Sequence, residues 1–548
     1  METAMKTSSI AAALSLALAA AGAAAEPALP RMSDYRALDR AQLGHLRFIA
    51  NLADQPFNDW SRMDSAEAGQ GGFDAYRYQL AMMSYTLNLA NYHYTPAYRE
   101  HYQRVNERLI DKMLRFDVWS FWEQTSRGAK QFDPDLVRLS EGWIDPVVRQ
   151  NIMYSGHLMQ MVATHAVLYD SDKYERPGAL TFVHNPVGRG VGREEFRYDA
   201  GKLAETLRRQ FEEGGYAGIE CEPNAVFVEC NQHPILGFKL YDFRHGTRLF
   251  EEVSARYLQA FEEQKFLDRS SGSFMQYKLI RQDKVLRNDF AWNDGWAGIF
   301  MHAWSRPDVE AAYPLLKQKY LVGQRDGTAV IPFKAPSPLF SWDNGFFAAL
   351  AAEVGDRQAV DAMLAYADRH WAPTWVDEGL YYPRNDAFAA AGADPAAMPR
   401  DAFATPRVNT LTGNALLGLA RINVRDGLYS MVNAPWPRSH FSEPFVTGVA
   451  FPQAYVSRAV YDAPRQALVA TLLPGNAAQP GARTAFRVGN LARDGVFDIW
   501  VDGKNVGRLQ AGAVVAQRGG TRLAVVDGLL AIDLALQGPV DVVVQRRS

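Results

Sequence analysis

From about Asp34 to Arg421, apolar residues recur at three- and four-residue intervals. That spacing predicts helices over Tyr76–Asn91, Arg149–Tyr169, Ala200–Glu212, Pro234–Asp242, Gly246–Gln264, Ala291–Trp304, Val309–Tyr320, Gly345–Val354, Gln358–His370 and Thr412–Arg421. Two further segments, Ala41–Leu52 and Ala97–Met113, bring the expected total to twelve. The loops between them are rich in Gly, Pro and Asp, which break helices.

An internal echo gives these helices an arrangement. Trp292-Asn293-Asp294-Gly295-Trp296 returns fifty residues later as Trp342-Asp343-Asn344-Gly345-Phe346. Each copy opens a helix, with Asn and Asp where they would cap its first N–H groups. A fifty-residue period suits one helical hairpin plus loops, and six hairpins fill residues 34–425. The expected architecture is therefore mainly α: a two-layered helical toroid, whose inner-helix N-termini line a central cavity. Two copies are equally compatible with well-capped core helices that enclose nothing.

After Asn433 the pattern changes to short β-branched runs: Phe445–Ala450, Ala467–Leu473, Thr484–Val488, Phe497–Val501, Leu523–Val526, Leu529–Leu536 and Val540–Val544. Pro474-Gly475, Asp502-Gly503 and Gly519-Gly520 punctuate them. Such alternation predicts half-buried strands. Residues 434–548 are read as a smaller all-β, sandwich-like domain, with a packing or oligomer-contact role.

The first 25 residues have a short charged start, an Ala/Leu run and Ala23-Ala24-Ala25. That is the layout of a secretory signal peptide, so a periplasmic or secreted protein is expected, with residues 26–433 as the helical domain. No later segment is apolar for long enough to span a membrane. Formal net charge is −3 and no basic stripe occurs, which argues against nucleic acid and anionic membrane partners.

Several chemistries lack their motifs. There is no phosphate-binding Gly-x-x-x-x-Gly-Lys loop, no Gly-x-Ser-x-Gly elbow and no His-Glu-x-x-His pair. Gly188-Arg189-Gly190-Val191-Gly192 has the wrong spacing for a nucleotide loop. His157 and His165 are too far apart to chelate, and no Cys/His spacing fits zinc, so neither metal nor cofactor is expected.

The chain has two cysteines, Cys221 and Cys230, in one short stretch. A bridge between them would add about 2–3 kcal/mol by closing a small loop, and export favours one. Against this, Glu222 and Glu229 adjoin the thiols in a run as apolar as Val226-Phe227-Val228. Carboxylates are costly to bury, so the segment would have to face a polar cavity. Unbridged thiols there could donate and accept protons. Both readings stand on the residues alone.

The run Ala217-Gly218-Ile219-Glu220-Cys221-Glu222-Pro223, continuing through Phe227-Val228-Glu229-Cys230-Asn231 to Tyr241-Asp242, resembles the linalool dehydratase-isomerase family. So do Asn151-Ile152-Met153-Tyr154-Ser155-Gly156-His157-Leu158 and, before it, Val118-Trp119-Ser120-Phe121-Trp122-Glu123. The resemblance spans about residues 40–380 and does not reach the β region. It implies an (α/α)6 barrel, a homo-oligomer, and cofactor-free dehydration or isomerisation of a small apolar alcohol such as linalool or geraniol. By position it implies unbridged acid–base roles for Cys221 and Cys230, with His157 and Asp54 as further catalytic residues. Tyr78 and Met153 would contact substrate, with Glu222 beside them. Trp60 and Trp292 stand where the family has pocket tyrosines, so two hydroxyl donors are replaced by ring area. Two rivals remain: a carbohydrate-active toroid using Asp294 and Asp343, and a lipophilic-ligand binder without turnover.

Overall fold

The computed structural model describes residues 29–64, 70, 72, 74–188, 190–332, 341–385, 407–475 and 482–547. The leader expected over residues 1–25 lies outside them. The principal helices are α1 (Arg40–Asp54), α2 (Tyr76–Tyr94), α3 (Glu100–Met113), α4 (Ile152–Leu168), α5 (Ala200–Glu213), α6 (Val228–His245), α7 (Leu249–Glu263), α8 (Ala291–Met301), α9 (Arg306–Tyr320), α10 (Trp342–Val354), α11 (Arg357–His370), α12 (Leu417–Ile422) and α13 (Gly427–Asn433). The expected helices are all present, and their ends mostly agree within a few residues.

Two classes of helix alternate. Every residue of α4 and of α8 is buried, and α2 and α10 are nearly so. Helices α1, α3, α5, α7, α9 and α11 bury one stripe and expose the other. The buried set packs in sequence: α2 on α4, α4 on α6, α6 on α8, α8 on α10, α10 on α12, and α12 back on α2. Amphipathic helices cover this circuit from outside; α5 and α7 lie against α6, α9 against α8, and α11 against α10.

Capping follows the same division. Asp39, Asp199 and Asp356 each cap an amphipathic helix by accepting a backbone N–H. The buried helices have no side-chain bond at their N-caps. Contrary to the expectation from spacing, the echo residues do not cap their own helices. Asp343, at the start of α10, accepts Trp292 N–H in the first turn of neighbouring α8 (2.6 Å). Asp294 accepts Phe274 N–H (2.7 Å), and Asn344 holds both N–H and C=O of Ile331 (2.8 and 3.1 Å). These side chains tie each helix start to its neighbour or to the preceding strand. The echoed glycines let the helices approach: a Cβ on Gly295 would stand 2.8 Å from the Phe346 carbonyl carbon.

Beyond α13 the described residues form a four-stranded and a six-stranded antiparallel sheet. Phe486, Ile532 and Leu534 of the first share one buried cluster with Val456, Leu472, Ile499 and Val542 of the second. The alternation missed Ala454–Asp462, Lys504–Gln510 and Ala513–Gln517; the first two break their apolar run with charged or polar residues, and the third is only five residues long. Backbone bonds join the β-rich region to the helices: Leu38 N–H to Ser457 O (2.8 Å), Ala97 N–H to Ala459 O (2.9 Å), Val446 N–H to Ala97 O (2.7 Å). No helix among the described residues is long and apolar enough to cross a membrane.

Replacing Gly295 with Ala drives a methyl into the α10 backbone, and is expected to cost about 1–3 kcal/mol in denaturant unfolding. Gly538→Ala, with open space around the new carbon, is expected to leave the midpoint unchanged.

Candidate active site

The two cysteines meet because a hairpin folds back on a helix start. Strands β1 (Glu220–Glu222) and β2 (Ala225–Val226) pair antiparallel around a turn at Pro223-Asn224, with Asn224 at φ +77°. Glu220 steadies that turn by accepting Asn224 N–H (2.6 Å) and Gln150 Nε2–H (2.7 Å). The register slips between Glu220 and Glu222, and bulges of this kind re-aim a side chain. Cys221, at the slip, is buried between two partly buried glutamates. Asn231 in α6 then closes on β1: its Oδ1 accepts Ile219 N–H (2.7 Å) and its Nδ2 donates to Ile219 O (3.0 Å). Cys230, one residue earlier, is brought into hydrogen-bond contact with Cys221.

Helix α6 begins at Val228, not at Pro234 as the spacing predicts. Proline deletes the bond that would reach the Cys230 carbonyl, yet tight burial against Gly156 of α4 keeps the helix running through it. Cys230 therefore sits on the first turn of a rigid element rather than on a loop.

Both sulfurs are unbridged in this structure and buried. Burial pushes the Cys221 thiol well up, and its hydrogen bond with Cys230 pushes it further. Burial also raises Cys230, to about 11, while the same bond relieves it. Both are neutral S–H groups at pH 7. Burial lifts Glu222 to about 7, offset in part by the Arg77 guanidinium. Its Oε2 is sealed from solvent with no hydrogen-bond partner among the described residues. Burial raises the Glu229 carboxyl well above the usual carboxylate range, with Glu222 and Asp294 adding to the effect, and it accepts Asn293 Nδ2–H (2.8 Å).

Tyr78 links the sulfurs to an aromatic wall. Its O–H donates to Met153 Sδ (3.0 Å), and its pKa is raised by burial and then by Cys230, Glu222 and Cys221. Its ring meets Trp296 and His157 edge-on, at 5.2 and 5.7 Å between centroids. His157 shares a hydrogen bond through Nδ1 with Tyr85 (2.9 Å), while its buried Nε2 has no partner among the described residues. Burial lowers it to about 3, so it is a neutral imidazole. The His233 ring lies 3.7 Å away. Its tautomer follows from its bonds: Nδ1–H donates to Gln160 Oε1 (2.7 Å) and Nε2 accepts Trp296 Nε1–H (2.9 Å).

The structure thus brings Cys221, Cys230, Glu222, Tyr78, Met153 and His157 together. Asp54 stands elsewhere, at the exposed end of α1, its carboxylate paired with Arg104 (2.7 Å). Trp60 stacks on Tyr76 (4.2 Å) and donates to exposed Asp117 (3.1 Å). Tyr154 donates to Met113 O (2.7 Å) and packs on Phe182, which turns it away from the thiols. Trp292 opens α8 with its ring stacked on Phe290, one residue before the Asn293 that holds Glu229.

Spacing missed Arg77, Tyr85, His233 and Trp296 as members of the cluster, whereas the sequence itself singles out Glu229 beside the thiols. Arg77 is a buried cation that donates to Gln70 O (2.6 Å) and lies over Phe121 and Tyr78 (3.8 and 4.5 Å). A basic residue inside the otherwise apolar and aromatic start of α2 was the available signal. A cleft of about 470 Å³ opens outside the hairpin turn, lined by Arg127, Arg149, Gln150, Glu220, Pro223 and Asn224 among others.

The sequence profile of linalool dehydratase/isomerase matches residues 77–388, more than half of this chain. The chain belongs to the linalool dehydratase/isomerase family. The matched span contains both cysteines, Glu222, His157, Met153, Tyr78 and Trp292, whereas Asp54 and Trp60 precede it. Among solved structures, the chain is similar to an alpha-1,6-mannanase of Salegentibacter sp. HEL1_6, at 13% identity over 71% of this chain and 100% of that one, TM-score 0.39. A family 76 mannosidase from Bacteroides thetaiotaomicron is 11% identical over 69% and 97%, TM-score 0.39. Endoglucanase CelQ from Clostridium thermocellum is 11% identical over 92% of each chain, TM-score 0.31. These likenesses are too distant to bear on activity.

Two outcomes follow from the burial of these groups. Native protein at pH 8 is expected to resist iodoacetamide at both cysteines and to take up two labels per chain once unfolded. Fast native labelling would contradict the burial. The Glu222 carboxyl also makes stability depend on pH. Folding favours its protonated form, so the benefit is full below about 4.5 and is lost as pH rises through about 7. Comparing wild type with Glu222→Gln isolates this from Asp294, also raised to about 7 by burial. Between pH 4.5 and 8 the wild type is expected to lose about 1–3 kcal/mol relative to the variant.

Proposed function

We propose that this protein is a cofactor-independent dehydratase and isomerase of small allylic or tertiary alkenols, of the linalool-to-myrcene and geraniol–linalool type. The observation that carries the reading is the contact between two neutral, buried thiols, Cys221 and Cys230, beside an ionisable Glu222. The family assignment and the helix circuit support an (α/α)6 barrel with its site at the buried-helix N-termini. A homo-oligomeric, exported enzyme is part of the same reading.

Dehydration needs a proton on the leaving oxygen, shelter for the allylic cation and a base for the proton on the adjacent carbon. In this reading Cys230 donates to the hydroxyl, water departs, and the C–O electron pair leaves with it. Glu222, ionised near neutrality, takes the carbon-bound proton as the C=C bond forms. That proton then returns to Cys230 through the thiol pair, so the enzyme ends as it began. For isomerisation, water adds back at the other end of the allylic cation and gives up a proton to the Cys230 thiolate, which restores the thiol and leaves the isomeric alcohol. Cys221 acts by holding the Cys230 thiolate and not as a second base, because burial keeps its own thiol protonated.

Charge decides why Glu222 matters. The Arg77 cation raises the cost of a developing carbocation, and an ionised Glu222 offsets it. The Tyr78 and Trp296 rings add about 0.5–2 kcal/mol each by cation–π attraction. Met153 keeps the Tyr78 hydroxyl occupied, and neutral His157 offers an unpaired Nε2. Asp54, ion-paired at the surface, has no role in this scheme.

The carbohydrate reading loses its residues. Asp294 spends both oxygens on Phe274 N–H and Tyr320 O–H, and Asp343 holds Trp292 N–H.

Gas chromatography of linalool and geraniol incubations is expected to detect myrcene or the isomerised alcohol. Cys221→Ala and Cys230→Ala should each lower kcat/KM by at least about 100-fold. The rate should rise with pH through about 7 and lose that dependence in Glu222→Gln. Reducing sugar released from glycans, or terpenol binding with no product, would replace the proposal with one of the rival readings.

A further inference from the structure

We infer that His302, Asp426 and Glu310 form a binding site for a divalent transition-metal ion of zinc's class, at the end of the buried helices opposite the thiols. His302 directly follows α8, Glu310 lies on α9, and Asp426 directly precedes α13. The candidate donor atoms of the three all lie within 4.8 Å of one another.

The case rests on how His302 is held. It is fully buried. Its Nδ1 meets Glu353 Oε1 at 3.1 Å. Glu353 is itself fully buried, and its oxygens also accept Tyr429 N–H (3.0 Å), Leu428 N–H (2.9 Å) and Asn423 Nδ2–H (2.8 Å). A carboxylate can only accept here, so Nδ1 carries the proton. That leaves the Nε2 lone pair bare and the ring fixed, the carboxylate–histidine arrangement that supports a metal ligand.

Among the described residues Nε2 has no hydrogen-bond partner, and it is sealed from solvent. It points at Asp426 Oδ1, 3.8 Å away and likewise sealed without a hydrogen bond. That gap is too long for a hydrogen bond. Two ligands at about 2.0–2.1 Å in tetrahedral geometry stand about 3.4 Å apart, so a shift of a few tenths of an ångström admits an ion. Asp426 is pinned for this at φ +55°, with its N–H on Glu353 O (2.8 Å).

Arg306 occupies the open side. It donates to Glu310 Oε1 (2.9 Å) and Asp426 Oδ2 (3.2 Å), and lies 3.2 Å from Asp426 Oδ1. Arg425 approaches Asp426 Oδ2 at 3.7 Å. The Arg306 side chain is partly exposed, so an entering ion displaces it toward solvent and takes over both carboxylates. One nitrogen and two carboxylate ligands favour zinc, cobalt or nickel over magnesium or calcium, with water completing the shell. His302 lies nine residues beyond Asn293, about 13 Å along the helix axis, so the ion fastens α8 and α9 to the segment before α13 and takes no part in the thiol chemistry.

The test is calorimetric titration of Zn²⁺ alone into the full, tag-free, chelator-stripped chain, with thermal melts alongside. One ion per chain is expected to bind and raise the midpoint. His302→Gln and Glu310→Gln should each weaken binding at least about tenfold, and Arg306→Ala should tighten it. Glu310 is exposed, so its variant remains informative where His302→Gln fails to fold. Co²⁺ should give visible d–d bands without a sulfur charge-transfer band. No saturable binding at sub-millimolar Zn²⁺, binding unaffected by Glu310→Gln, or a thiolate–cobalt band placing the ion at the cysteines would each overturn the assignment.

Discussion

One side-chain amide decides whether this site exists. Asn231 accepts from and donates to the backbone of Ile219, donates as well to Phe227 O, and so locks the bulged strand onto the first turn of α6. Cys221 rides on that strand and Cys230 on that turn. Without the lock, the hairpin could slide, and a one-residue slip would turn the Cys221 side chain to the opposite face. With it, the sulfurs share a hydrogen bond in a place that water does not reach. Desolvation then does the rest: it keeps both thiols neutral, neutralises His157 and lifts Glu222 into the physiological range.

The same device recurs around the helix circuit. Asn344 grips Ile331, Asp294 holds the Phe274 amide, and Asp343 reaches across to the first turn of α8. The starts of α6, α8 and α10 are thus tied to neighbouring backbone through their own polar side chains, and the start of α8 also through Asp343 of α10. Helix starts concentrate partial positive charge and unsatisfied N–H groups, so the end of the bundle that gathers them suits anionic and proton-bearing side chains. The sulfurs, Glu229 and Asn293 all lie there. The opposite end is organised by Glu353, whose filled carboxylate orders the α13 entry and orients His302.

Much of this was legible beforehand. Twelve helices, the switch to strands after Asn433 and the paired thiols follow from periodicity and from two isolated cysteines among glutamates. The echo was visible, but its purpose was not. Asn and Asp at a helix start suggest self-capping, and only the fold reveals that they serve a preceding strand or the preceding buried helix. Pro234 misled the start of α6, because local proline geometry yields where both helix faces are packed. Asp54 and Trp60 were carried over by likeness alone. Neither has a burial signal, and the structure leaves both beside charged surface residues. Arg77, His233 and Trp296 join the site through contacts between residues 63 to more than 70 positions apart, which periodicity within one segment does not encode.

The central claim is that two sulfurs remain protonated and unjoined in a desolvated pair at neutral pH. Infrared spectroscopy of the native protein reads this directly, because S–H stretching falls in a window free of other protein bands. The account predicts two S–H bands at pH 7, one shifted by the hydrogen bond between the thiols, and both absent from a Cys221→Ala/Cys230→Ala double variant. Loss of one band at pH 7 would mean a standing thiolate, and loss of both a disulfide; either result would contradict it.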